Sequence, residues 1–155
     1  MSQVDAFWDF SVRLYEEDRI RQQCLYLQDQ YKLNVNLLLL CCFLESKGQV
    51  LSNADVNVLI GASTATQAKL TIMREDRKKQ KGTSQYQHFL EQELTIEKQQ
   101  QADLIRALDA LNLIQGSGNN VKTYVSTAID DPDPQLTQCC EQLNAAANER
   151  IKVIG

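Results

Sequence analysis

Apolar residues recur at helical spacing along most of the chain, and the pattern first predicts two short helices. Phe7, Phe10 and Leu14 fall on one stripe of a first helix, which Asp5 is expected to cap. A second helix is predicted over residues 18–31, where apolar side chains lie three or four positions apart. The opposite sides of both segments are polar, so each helix is expected to bury one face only.

The segment 34–47 is apolar around its whole circumference. A helix of this kind needs neighbours on every side, so we expect it at the centre of the domain. Asn34 is placed to cap its first turn, and Gly48 is placed to end it. The adjacent Cys41 and Cys42 are then interpreted as small buried core residues.

Two further helices are predicted before the middle of the chain. A short helix that begins at Ser52 is expected to break at Gly61. Ser63 or Thr64 is expected to cap a fifth helix, which ends in the basic stretch MREDRKKQKG. Its inward side is expected to carry Ala68, Ile72 and Met73.

The rest of the chain predicts one long helix over 83–114, a linker over 116–134 and a last helix over 135–150. Residues 1–115 are therefore expected to form a helical core domain. The C-terminal helix, within 135–155, is expected to pack on the long helix. The predicted fold is all-α, a single bundle-like domain around a buried central helix.

Composition narrows the class of protein without naming a function. The chain has 155 residues, of which 43% are hydrophobic and 23% charged, as in a globular domain. A net charge of −4 argues against a surface made wholly for phosphate backbones. The N-terminus lacks a secretory signal pattern, and no apolar run approaches the roughly 20 residues of a membrane span. We therefore expect a cytoplasmic protein that does not enter membranes.

Cysteine usage is consistent with that compartment. The chain has five cysteines, and two pairs, Cys41-Cys42 and Cys139-Cys140, are sequence neighbours. Neighbours on a helix point about 100° apart, which is a poor geometry for a disulfide. All five are expected to be free thiols.

Three sequence blocks resemble a family of small bacterial conserved hypothetical proteins. They are Trp-x-Phe at Trp8 and Phe10, Leu-Gln-Asp at residues 27–29, and Val-Asn-Leu-Leu-Leu at residues 35–39. The resemblance covers about residues 7–110. It implies a helical cytoplasmic protein of undefined activity, and it supplies no catalytic residue.

Asn36 is a polar residue just inside the apolar helix, so it needs a hydrogen-bond partner. Asp29 and Tyr15 are the partners that we expect, and Trp8 completes this candidate polar cluster. The four residues could line a small pocket for a polar ligand. The commoner interpretation is a buried hydrogen-bond cluster that orients the first three helices.

A candidate basic patch lies at the end of the fifth helix. Its members are Arg74, Arg77, Lys78, Lys79 and Lys81. The patch could contact nucleic acid or an acidic partner, but cations also stabilise a helix C-terminus when nothing is bound.

Catalytic and metal sites are not expected. His88 is the only histidine, and adjacent cysteines lack the two-residue gap that lets both sulfurs reach one ion. The apolar surroundings of Cys41 and Cys42 should raise their pKa and make them poor nucleophiles. We therefore expect no enzyme activity, cofactor or metal.

The long helix carries an interrupted hydrophobic pattern. Its first apolar stripe ends at Leu94, EKQQQ at 97–101 contains no apolar residue, and a second stripe follows. That candidate partner stripe consists of Leu104, Ile105, Leu108 and Leu111. A helix over 83–114 would span about 48 Å and overhang a domain about 40 Å across. Either the C-terminal helix or a second molecule, in a homodimer or a complex, is expected to cover the stripe.

The sequence thus favours a non-enzymatic protein-interaction or adaptor protein. The alternative is a protein associated with nucleic acid or ribonucleoprotein that uses the candidate basic patch. A small-molecule enzyme built on the candidate polar cluster ranks below both.

Overall fold

A computed structural model describes residues 2–154, and these are almost entirely helical. The elements follow in the order α1 (Gln3–Tyr15), α2 (Asp18–Tyr31), α3 (Val35–Ser46), β1 (Gln49–Val50), α4 (Asn53–Lys79), α5 (Tyr86–Leu108), β2 (Ile114–Gln115), α6 (Asn120–Ala128) and α7 (Pro134–Ile154). The two short strands pair antiparallel, with Gln49 opposite Gln115. The predicted all-α fold is confirmed.

Helix α3 lies at the centre of the domain, as predicted. Nine consecutive residues, 36–44, are buried, and α1, α2, α5, α6 and α7 pack around them. Asn34 caps the helix by accepting a hydrogen bond from the Leu37 backbone N at 3.2 Å. Gly48 follows the helix end with a φ of +70°, the left-handed conformation that glycine adopts without strain.

The two helices that precede α3 have nearly the predicted bounds. Helix α2 matches its prediction, but α1 begins earlier than expected. Ser2, and not Asp5, is its N-cap, because the Ser2 hydroxyl accepts a hydrogen bond from the Asp5 backbone N at 3.1 Å. Asp5 lies within the first turn, where a carboxylate also interacts favourably with the helix dipole.

Helix α4 is continuous, so the predicted break at Gly61 is wrong. A glycine inside a helix costs only about 1 kcal/mol relative to alanine, and packing against α5 offsets this. The hydroxyls of Ser63 and Thr64 do not cap a new helix. Instead, both hydroxyls donate to the Ile60 carbonyl oxygen, at 3.0 and 2.9 Å, within the continuous helix.

The buried face of α4 also differs from the predicted one. Ala68 is exposed, and Ile72 is 63% exposed. The buried residues are Val56, Leu59, Ser63, Thr66 and Leu70. This face contains two hydroxyls, which is why hydrophobicity alone selected the wrong side.

The predicted linker over 116–134 contains a helix, α6. Asn119 caps it by accepting a hydrogen bond from the Lys122 backbone N at 3.0 Å. Val121, Tyr124 and Val125 are buried at helical spacing in the main core. The Tyr124 hydroxyl accepts a hydrogen bond from the Asn34 backbone N at 2.8 Å. The segment is therefore part of the domain and does not act as a linker.

Helix α7 packs mainly against α2, and not on the long helix as predicted. Its buried face alternates leucines with small residues: Leu136, Cys139, Cys140, Leu143, Ala146 and Ala147. Small side chains let the two helix backbones approach closely. At the edge of this contact, Gln23 Nε2 donates to Gln142 Oε1 at 3.0 Å, and Arg19 pairs with Glu149 at 2.9 Å.

Helix α5 is shorter than predicted, and its candidate partner stripe is already covered. Leu104, Ile105 and Leu108 are buried in the main core, while Leu111 follows the helix end and is half buried against it. Because α1 and α3 cover this half of α5, neither the tail nor a second molecule is needed. The predicted cover, by the C-terminal helix or by a second molecule, is therefore wrong.

The overhang lies instead at the other end of α5. Helices α4 and α5 pair as an antiparallel hairpin, and no residue from 71 to 92 is buried. The tip of this hairpin therefore projects beyond the core.

We expect that Leu40→Ala will destabilise the protein by about 2 to 5 kcal/mol, since it leaves a cavity at a fully buried position of α3. Urea denaturation measures the change. Leu25→Ala, at a leucine that is 42% exposed, is the matched control and should cost less than about 1 kcal/mol. Equal losses in the two variants would contradict the central position of α3.

All five cysteines are free and buried, and this makes stability depend on pH. Burial raises the pKa of the Cys24 thiol to about 12 and that of Cys139 to about 11, from 9.0. The unfolded chain therefore loses these protons first, so stability is complete below about pH 9 and falls as the pH rises further.

Unfolding free energies measured at about pH 8 and pH 10 should show this decrease. At the lower pH a chromogenic disulfide reagent should label five thiols only after unfolding. Rapid labelling of the native protein would contradict the buried arrangement.

Candidate functional site

A cavity of about 480 Å³ opens between α1, α2 and α3 on one side and the α4–α5 hairpin on the other. Of the candidate polar cluster, Trp8, Tyr15 and Asn36 line this cavity. Asp29 does not, because it is exposed on α2. Three of the four predicted residues are thus brought to one place.

Asn36 forms the floor of the cavity, and its partners come from α5. Its Nδ2 donates to Gln100 Oε1 at 2.9 Å and to the Glu97 carbonyl oxygen at 3.3 Å. Its Oδ1 accepts from Gln101 Nε2 at 3.0 Å. The expected partners, Asp29 and Tyr15, are therefore wrong. Both glutamines belong to the QQQ run, which contains no apolar residue that would mark it as buried.

The same amides connect four helices. Gln101 Nε2 also donates to Ser11 Oγ on α1 at 3.1 Å. Gln100 Nε2 donates into α4, to Thr66 Oγ1 at 3.1 Å and to the Ser63 carbonyl oxygen at 3.4 Å. We call this set the amide network; its members are Ser11, Asn36, Thr66, Gln100 and Gln101.

Backbone carbonyls fix the direction of the amide network. The Glu97 and Ser63 carbonyl oxygens can only accept, so Asn36 and Gln100 must present their NH₂ groups to them. Asn36 Oδ1 then faces Gln101, which must present its own NH₂ group. One consequence is that Gln101 Oε1 is buried and has no hydrogen-bond partner among the described residues.

One wall of the cavity is an ion-pair network on the hairpin. Glu93 accepts from Arg77 Nε at 2.5 Å and lies 3.4 Å from Arg74 Nε. Arg74 also lies 3.9 Å from Glu97. These four side chains belong to facing turns of α4 and α5, so they hold the projecting hairpin together where apolar packing is sparse.

The two arginines of the candidate basic patch belong to this wall, whereas its three lysines do not. Arg74 and Arg77 turn toward the cavity and are neutralised by carboxylates of α5. Lys78, Lys79 and Lys81 remain exposed, and Lys78 lies 4.0 Å from Glu75. Residues 71–92 carry five cations and three carboxylates, a net charge of +2, which Glu93 and Glu97 of the wall offset.

Burial changes the acid–base behaviour of two cavity residues. It raises the pKa of the Tyr15 phenol, and the neighbouring Cys24 and Glu97 add to the increase. Burial also raises the pKa of Glu97, helped by Glu93 and opposed by Arg74. Both groups therefore favour their neutral form more strongly than they would in water.

The rim of the cavity is apolar and exposed. Val12, Leu25 and Leu94, from three different helices, are 45%, 42% and 44% exposed. Trp8 lies at the same rim, with Lys98 Nζ 5.0 Å from its ring centroid. Of this set, the sequence patterns singled out Trp8 and Leu94 but not Val12 and Leu25, which lie outside the buried stripes of their own helices.

Metal ligands and nucleophiles within residues 2–154 are dispersed or buried. No three His, Cys, Asp or Glu residues in that range come together as a metal site. His88 is exposed on α5, and Cys41 and Cys42 are buried in α3. None of the helices in this range combines the length and apolar content needed to cross a bilayer.

Asn36→Leu should destabilise the fold by at least about 2 kcal/mol, since each buried polar group left without a partner costs about 1 to 3 kcal/mol. Gln100, Gln101 and the Glu97 carbonyl would all lose a bond. Chemical denaturation measures the loss. Asn57→Leu, on the exposed side of α4, is the control and should change stability by less than about 0.5 kcal/mol. A variant at Asn36 as stable as the control would show that the amide network is energetically neutral.

Comparison with known proteins places the chain in a family. The model of the family described as "Protein of unknown function (DUF2390)" matches residues 6–104. Every residue that lines the cavity lies within this range. No curated protein and no solved structure matches the chain. The resemblance inferred from Trp8, Phe10 and the blocks at 27–29 and 35–39 is confirmed, and the chain belongs to the DUF2390 family.

Proposed function

We propose that this protein is a non-enzymatic interaction protein that binds an apolar side chain of a partner protein in the cavity between α1–α3 and the hairpin. The observation that carries the proposal is the rim. Val12, Leu25 and Leu94 are large exposed apolar residues that surround one opening. Exposed apolar surface around a preformed concavity is typical of sites that receive an anchor residue.

The charges around the cavity support an uncharged anchor. Arg74 and Arg77 share Glu93, Arg21 pairs with Asp18, and Glu16 pairs with Arg150 at 3.3 Å. An ionic ligand would have to separate one of these pairs, whereas an apolar side chain leaves them intact. The proposal therefore concerns shape and apolar contact more than charge.

The proposal assigns no catalytic residue. Tyr15 and Glu97 are cavity groups whose pKa burial raises, and Tyr15 lies near the Cys24 thiol. Burial raises the pKa of that thiol as well, so the pair provides no activated nucleophile. We interpret Tyr15 and Glu97 as polar parts of the wall. The cytoplasmic location expected from the sequence stays a prediction.

Association with nucleic acid is the weaker alternative. It would depend on Lys78, Lys79 and Lys81, since the two arginines of the candidate basic patch are engaged by carboxylates. The +2 charge of residues 71–92 is offset by Glu93 and Glu97, so the hairpin offers little of the phosphate attraction that such binding requires.

A random peptide library displayed on phage tests the proposal when it is panned against the full chain. Selected peptides should share an apolar anchor, and isothermal titration should show that they bind the full chain. Val12→Asp should weaken them at least about tenfold, because it places a charge on the rim. Leu94→Asp is the second rim variant.

Val58→Asp is the matched control. Val58 is 46% exposed, close to the 45% of Val12, but it lies on α4 outside the cavity. It should leave binding unchanged, and circular dichroism should show that all three variants stay folded. A library that yields no binder, or binders that tolerate both rim variants, would overturn the proposal.

A further inference from the structure

Gln101 has an unsatisfied hydrogen-bond acceptor next to the cavity. The residue is 1% exposed, it borders the cavity, and its Oε1 has no partner among residues 2–154. An unpaired buried acceptor is costly, and native structures contain few of them.

Rotating the Gln101 amide would not remove this need. The flipped group would bring its oxygen to Asn36 Oδ1, and two acceptors would then face each other. Asn36 cannot flip in turn, because its NH₂ group serves the Glu97 carbonyl and Gln100 Oε1. The amide network therefore leaves one acceptor free at Gln101, which a donor from outside the network can satisfy.

The residues around Gln101 restrict the kind of chemical group that can carry this donor. The neighbouring walls are apolar at Val12, Val35 and Leu39, and Trp8 offers an aromatic surface. A cationic donor such as lysine or arginine would find Glu93 and Glu97 already occupied by the hairpin arginines. A neutral group with an apolar body and a single N–H fits these conditions.

We infer that the anchor is a tryptophan side chain of the partner protein, whose indole N–H donates to Gln101 Oε1. The inference rests on the proposed function and specifies its ligand. Indole donates one hydrogen bond and accepts none, which complements a lone acceptor. Tryptophan is also among the residues that most often dominate protein interfaces. Gln101 Oε1 is closed to solvent before binding, so the side chains that cover it must move when the anchor enters.

The first test compares indole with benzothiophene, which has the same ring shape but no N–H. Isothermal titration of the unmodified full chain should show that indole binds at least about tenfold more tightly. This comparison needs no variant, so it cannot fail through misfolding. Equal affinity for the two rings would overturn the inference.

The second test identifies the acceptor. Gln101→Leu should abolish the preference for indole, whereas Gln99→Leu should keep it, because Gln99 is exposed on the same helix. If Gln101→Leu does not fold, the comparison of the two rings on the unmodified protein still decides. If a folded Gln101→Leu variant still prefers indole, the indole N–H donates to a different acceptor, and the inference is overturned.

The third test identifies the source of the indole. Peptides selected on the full chain should be anchored by tryptophan, and replacing that residue with benzothienylalanine should weaken them at least about tenfold. If phenylalanine- or leucine-anchored peptides bind equally well, the inference fails while the proposed function stands. If free indole binds with the expected preference but no peptide does, both the partner source and the proposed function are overturned.

Discussion

The hydrogen bonds between Asn36 and the paired glutamines of α5 are the interaction on which the rest of the structure depends. They join the central helix to the hairpin through neutral groups that apolar packing cannot replace. Because backbone carbonyls fix their direction, the arrangement has one register only. A shift of α5 by one residue would strand several buried amides, so the network sets where the hairpin lies as well as how firmly it is held.

The position of the hairpin in turn creates the cavity. Below the amide network, Leu104, Ile105 and Leu108 join the main core, and the hairpin packs tightly. Above it, the hairpin continues with no residue buried between 71 and 92, so it stands away from α1 and α2. The ion pairs of Arg74 and Arg77 keep its two helices together there, where apolar contacts alone would be too few. The floor, the wall and the rim of the cavity thus form where α5 changes from buried packing in the core to an exposed hairpin.

The range matched by the family model and the extent of the fold differ in an instructive way. The family match ends at residue 104, and it includes the whole cavity. Helices α6 and α7 lie beyond it but complete the core around α3, through Tyr124, Leu136 and Leu143 among others. Helices α6 and α7, which complete the core around the central helix, are therefore separate from the segment 6–104 that carries the candidate site.

Features that depend on neighbouring residues could be predicted from the sequence. The Asn34 cap, the bounds of α2, the burial of α3 and the position of Gly48 follow from capping and periodicity over a few residues. The same rules also placed Asn36 where it needs a partner. They could not identify that partner, because residues 36 and 100 lie 64 positions apart.

The burial of Gln100 and Gln101 in the QQQ run depends on long-range contacts, since three identical residues show no periodicity. Packing between distant segments also explains why α4 continues through Gly61, why residues 120–128 form a helix, and why α7 packs on α2. In each case a modest local preference was outweighed by contacts with distant parts of the chain, which no pattern of neighbours records.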